Sequence, residues 1–137
     1  KMGHMMAGVV KNEPRFWPID LVIPVPVSWA HLQQRGFNQT EELARQLCKE
    51  LHLKMDARTL IRVKETPAQR ELTREEREKN LLFAFSVKDK KKIYRKNILL
   101  VDDVYTTGST VRECARTLLE AGAARVSVVT WATGKGF

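Results

Sequence analysis

The chain has 137 residues, 43% of them hydrophobic and 29% charged, which suits one domain with a real core and excludes a disordered segment. No apolar stretch approaches the roughly 18 residues of a membrane span, and no secretory signal pattern is visible. The net charge of +8 at pH 7 points to anionic partners, a diphosphate or a nucleic acid, while two distant cysteines without metal-ligand spacing, Cys48 and Cys114, make a reduced, cytoplasmic setting the default.

Residues 1–16 carry Met2, Met5, Met6, Val9 and Val10 in a helical pattern that starts without an initiator Met. This stretch is expected to be part of a longer protein, short of what it once packed against. Residues 19–25 (Ile-Asp-Leu-Val-Ile-Pro-Val) form the first strand candidate; Pro24 and Pro26 remove ladder donors and end it in a constrained loop. That loop runs to Arg35, Gly36 and Asn38. Arg35 can chelate phosphate oxygens and Gly36 permits close backbone approach, although the same residues also suit an ordinary turn with an exposed arginine.

Residues 40–51 predict an amphipathic helix, with Leu43, Leu47 and Leu51 four apart and Asn38 as its cap. Residues 59–63 are β-branched enough for a second strand. Residues 66–82 are highly charged, and Thr73 with Glu76 makes a capping box. Residues 83–87 read as a further strand. The basic run Lys88, Lys90, Lys91, Lys92, Arg95 and Lys96 reads as a solvated segment, because only Tyr94 interleaves with it and a single-strand-binding surface wants stacking platforms.

The most informative stretch is 97–110. Ile98, Leu99, Leu100 and Val101 predict a buried parallel strand, and they run into Asp102 and Asp103. Thr106, Thr107, Gly108, Ser109 and Thr110 then open a helix over 109–121, apolar at Val111, Ala115, Leu118 and Leu119 and closed by Gly122. Residues 126–131 form the last strand. Ligands of open α/β sheets bind beyond the carboxyl ends of the strands. A loop of free amides before a helix N-terminus cradles phosphate, and carboxylates accept sugar hydroxyls. The combination suits a phosphorylated sugar. A Walker B strand also ends in acidic residues, but it requires G-x-x-x-x-G-K-[ST], and the only Gly-Lys pair, Gly134-Lys135, lacks that context. Alternating strands and helices predict an open, mainly parallel α/β sheet flanked by helices.

The stretch 97–110 resembles the phosphoribosyl-diphosphate motif of type I phosphoribosyltransferases. Together with 24–39, Thr66-Pro-Ala-Gln69, Leu72, Arg74 to Arg77, Asn80, Ala84 and Phe85, it is similar to the ComF/GntX group of phosphoribosyltransferase-like proteins, which is linked to DNA uptake in competence. The resemblance covers residues 19–133. It implies that Asp102 and Asp103 hold the ribose hydroxyls and that Val104, Tyr105, Thr106, Thr107, Gly108, Ser109 and Thr110 wrap the 5-phosphate. Val25, Pro26, Val27, Ser28 and Arg35 would meet the diphosphate. Arg70, Arg74 and Arg77 would ride on a mobile flap over 64–80, a segment that reads equally well as a solvated helix laced with ion pairs. Mg²⁺ would be held indirectly by Asp102 and Asp103. Members of the group carry a four-cysteine zinc module and a hood; residues 1–18 are expected to be a remnant of the hood without the zinc module, and 19–137 the transferase-like domain.

The implied reaction is substitution at ribose C1 with loss of diphosphate, and no residue stands out as its general base. His4, His31 and His52 are scattered, and only His31 lies near the diphosphate loop. Trp131 either borders a base or packs in the core, Trp29 flanks the diphosphate loop or a partner, and Trp17 has no functional reading. The alternative function is a non-catalytic nucleotide sensor or single-stranded-DNA-handling module of the competence machinery.

Overall fold

A computed structural model of the protein describes residues 2–26, 39–63, 73, 75, 84–102 and 109–130. Helix α1 (Met2–Asn12) is followed by a short 3₁₀ turn, Pro14–Phe16, and strand β1 (Leu21–Pro24). Helix α2 (Gln39–Leu51), strands β2 (Leu60–Arg62) and β3 (Phe85–Val87), a second 3₁₀ turn at Lys90–Lys92, strand β4 (Asn97–Asp102), helix α3 (Ser109–Glu120) and strand β5 (Arg125–Thr130) complete the order.

β1, β4 and β5 form a parallel sheet in the order β1-β4-β5, with Val22 beside Leu99 and Leu99 beside Ser127. The register of β1 on β4 is pinned at its start by Asp20, whose carboxylate accepts the Asn97 amide at 2.8 Å and its Nδ2 at 3.0 Å. On the outer edge of β1 a bridge from Val22 to Met55 adds a parallel neighbour, through Val22 N to Lys54 O (2.8 Å) and Asp56 N to Val22 O (2.9 Å). The sequence pattern did not signal this bridge.

Side chains alternate across a strand, so a buried sheet serves two cores. Ile98 and Leu100 of β4 join Leu21, Ile23, Val111, Cys114 and Leu118 on the α3 side. Leu99 and Val101 join Val22, Met6, Val10, Leu43 and Leu47 on the side of α1 and α2. The molecule is thus layered: two helices, a sheet, then α3 with β2 and β3.

The α2 stripe comes out as the spacing predicts, with Leu43, Ala44, Leu47 and Cys48 buried. Glu41 and Glu42 in its first turn complement the helix dipole and both bind Arg45, at 2.9 and 2.6 Å. Residues 2–12 are helical too, and Met6, Ala7 and Val10 are buried against α2. Trp17 also finds its place: its indole N–H donates to Val10 O at 2.8 Å, satisfying a carbonyl at the end of α1. The Trp17–Pro18 peptide bond is cis.

One sequence expectation needs correction. Leu119 was assigned to the apolar face of α3 but is 49% exposed, because Val111, Cys114, Ala115 and Leu118 already complete the inward stripe. β2 and β3, for which the sequence gives no partner, pair antiparallel with each other outside the parallel sheet, Leu60 beside Val87 and Arg62 beside Phe85. A single excursion, 64–83, joins them, so the chain returns along itself as a hairpin stem. Asn38, Phe83 and the Glu76 end of the capping box lie outside the described residues. Trp29, Trp131, His31 and the Gly134-Lys135 pair also do.

Candidate functional site

Parallel strands end together, and here that places three predicted elements along one edge. Pro24 pairs with Val101, and the Val25 amide donates to Val101 O at 2.9 Å, so Val25 and Pro26 emerge beside the end of β4. Asp102 is the last residue of β4 and sits half-buried opposite Thr130 of β5. α3 starts seven residues later at Ser109, with Thr110 half-buried in its first turn. The first amides of α3 therefore belong to the same end of the sheet as the Asp102 carboxylate, and they have no partner within the helix.

Of the residues assigned from sequence, the structure describes Asp102, Val25, Pro26, Ser109 and Thr110 and brings them to that edge. Asp103, Val104, Tyr105, Thr106, Thr107, Gly108, Val27, Ser28 and Arg35 lie outside the described residues. So do Arg70, Arg74 and Arg77. The excursion that holds these three arginines does, however, leave from Val63 and return at Ala84, where Val63 N donates to Ala84 O at 2.7 Å.

Two further residues gather behind the site that sequence reasoning missed. Arg62 ends β2, half-buried, with its guanidinium 5.3 Å from the centroid of the Phe85 ring. Glu113, buried on the second turn of α3, is held by Arg116, whose Nε donates to Oε1 at 3.1 Å and whose Nη2 pairs with Oε2. Arg116 also reaches Glu120 at 2.7 Å. The thiol of Cys114 registers this surrounding charge: burial pushes it well above its usual value, Asp102 and Glu113 add to the rise, and Arg62 opposes it. Asp102, Arg62 and Glu113 thus all lie within electrostatic reach of one buried sulfur. Nothing in local sequence marks Arg62, because its significance comes from the hairpin turning back at Phe85.

Among the described residues no three His, Cys, Asp or Glu side chains converge as a metal site. A half-buried strand-end carboxylate beside helix amides suits a hydroxylated anion, and such a donor set fits an ion that arrives with its ligand.

Residues 32–136 match the family described as phosphoribosyl transferase domain. The chain is 38% identical over 109 residues to DNA utilization protein YhgH of Escherichia coli K12, which covers 80% of this chain and 47% of that protein. Over 110 residues it is 36% identical to competence protein F of Haemophilus influenzae, and over 111 residues 34% identical to competence protein ComFC of Bacillus subtilis. These matches cover 48% and 43% of those proteins, so the chain spans about half the length of the curated relatives it matches. Among solved structures, glutamine phosphoribosylpyrophosphate amidotransferase from B. subtilis is similar with TM-score 0.63 at 21% identity, covering 95% of this chain and 25% of that one. Hypoxanthine-guanine phosphoribosyl transferase of L. donovani gives 0.54 at 15% identity, covering 94% and 64%. At these identities the likeness concerns the fold.

Proposed function

We propose, from the premise that this chain belongs to the phosphoribosyl transferase domain family and within it to the ComF group, that its strand-end site binds phosphoribosyl diphosphate or a nucleotide 5-phosphate and supports pentosyl transfer at ribose C1. One observation carries the reading: the register of β1 on β4 sets Val25 and Pro26, Asp102 and the start of α3 along one edge.

In this reading Asp102 and Asp103 accept the ribose 2- and 3-hydroxyls. The amides through 104–110 take the 5-phosphate on the α3 dipole. Val25, Pro26, Val27, Ser28 and Arg35 orient the diphosphate, Arg35 with a planar fork that matches phosphate oxygens. The excursion on the β2–β3 stem brings Arg70, Arg74 and Arg77 over the ligand and sheds water from a sugar centre that would otherwise react with it. Asp102 and Asp103 would steady an Mg²⁺ that arrives with the diphosphate, and the chemistry such an ion would supply is charge neutralisation on the leaving group. The chain's own contribution is placement and a preorganised field rather than proton transfer, since His52 is exposed at the end of α2 and no general base is assigned. Residues 1–18 contribute structure on the hood side, and residues 19–137 the transferase-like domain.

The printed names of the relatives, DNA utilization and competence, motivate a second reading: the same pocket serves as a non-catalytic nucleotide sensor or grips the end of single-stranded DNA in uptake. Calorimetric titration with phosphoribosyl diphosphate and Mg²⁺ tests the pocket. Asp102→Ala with Asp103→Ala is expected to weaken binding about tenfold or more, the scale of lost hydrogen bonds to a charged acceptor. Unchanged affinity in that variant would refute the assignment. Screening bases and amines for diphosphate release then separates enzyme from sensor.

A further inference from the structure

We infer that residues 88–96 form a docking surface for an anionic lipid bilayer, at the end of the molecule opposite the ribose site. Six of these nine residues are Lys or Arg and one is Asp. Lys88, Lys90, Lys91, Lys92 and Arg95 are exposed, and Lys96 is half-buried. Among the described residues no ion pair joins any of the six, whereas Arg15, Arg45 and Arg116 are each neutralised by neighbouring glutamates. The acids nearby are engaged elsewhere. Asp89 accepts the Lys91 amide of its own turn, and Asp56, whose field includes Lys92, takes hydrogen bonds from Arg58 and Thr59.

The surface is also rigid. Ile93 is fully buried, Arg95 N donates to Gly122 O at 2.8 Å, and Ala124 N donates to Lys96 O at 2.9 Å. The backbone that carries the charges is therefore already ordered, and only side-chain freedom remains to be lost on docking. Apolar groups accompany them. Tyr94 is 56% exposed against Gly122, and Leu119, whose carbonyl accepts the Gly122 amide, is 49% exposed. Clustered lysines with a tyrosine and a leucine at their margin suit a headgroup layer, where the diffuse anionic field binds point charges and amphipathic rings enter the interface.

A single-stranded nucleic acid fits less well. Five of the six cations are Lys rather than the planar Arg, and the lone aromatic ring already lies 5.3 Å from the Arg95 guanidinium and against Gly122 instead of offering a row of stacking faces. β4 runs from Asn97 beside this surface to Asp102, about 17 Å at strand rise, so a docked molecule leaves the ribose site open to water.

The test is co-sedimentation of the whole chain with phosphatidylcholine vesicles, with and without phosphatidylglycerol, at low and high salt. Binding is expected only with the anionic lipid and only at low salt. K90Q/K91Q/K92Q, with its fold checked by circular dichroism, is expected to lose about fivefold per lysine, on the order of 100-fold in all. Equal binding to neutral vesicles, or unchanged binding by the triple variant, overturns the proposal. Displacement from vesicles by a single-stranded oligonucleotide at matched salt also overturns it and assigns the surface to nucleic acid. Phosphoribosyl diphosphate titration of the same variant is expected to be unchanged, which keeps this outcome separate from that of the ribose site.

Discussion

Asp56 shows how one carboxylate can hold a junction. It accepts from Arg58 N and Thr59 N, both at 2.9 Å, and from Thr59 Oγ1 at 2.6 Å, tying the edge bridge on β1 to the start of β2. Burial alone would raise its pKa, but these hydrogen bonds and the Lys92 charge outweigh burial, and the net shift is downward. A carboxyl with a depressed native pKa stabilises the fold fully above its unfolded value of about 4 and loses that contribution as pH falls through the native value. Asp56→Asn is therefore expected to cost about 1 kcal/mol in urea unfolding at neutral pH, with the gap to wild type closing in acid. An undiminished gap at low pH would show that the charge is not what matters. At this scale the site was only partly legible: the strand-end position of Asp102 followed from an aliphatic run ending in carboxylates, whereas Arg62 and Glu113 became visible only through their neighbours in space.

At the scale of elements, the helices were the most readable. The end of α3 is the clearest instance: Gly122 adopts φ +112°, its amide donates to Leu119 O and that of Ala123 to Leu118 O, both at 3.1 Å, the double closure expected of a glycine just past a helix. A Cβ at Gly122 would stand 2.6 Å from Tyr94 Cδ1. Gly122→Ala is thus expected to lose about 1–3 kcal/mol in denaturant unfolding, from a strained φ together with displacement of the Tyr94 ring. β2 and β3 are legible as strands but not in their pairing, because three-residue segments carry too few positions to declare a partner or a direction. The bridge at Met55 had no periodicity at all to announce it.

For the molecule as a whole, the alternation along β4 sets the organisation. Cys48 lies in the core on the α1–α2 side and Cys114 in the core on the α3 side, both buried and unpaired. Burial pushes the Cys48 thiol up to about 11 and Cys114 well above its usual value, so neither offers a thiolate at neutral pH. An aromatic disulfide reagent is expected to modify both in one phase, at a rate that tracks global unfolding. Two phases would mean that the layers open separately.

That same alternation restricts how the chain can change length. Loops between elements can grow, but one residue inserted ahead of Leu99 would hand each downstream β4 side chain to the opposite core and slide Asp102 out of step with Val25. Insertions are therefore expected to be tolerated in the connections and to unfold the protein when placed within this six-residue strand, an outcome that thermal denaturation of the two kinds of variant would check.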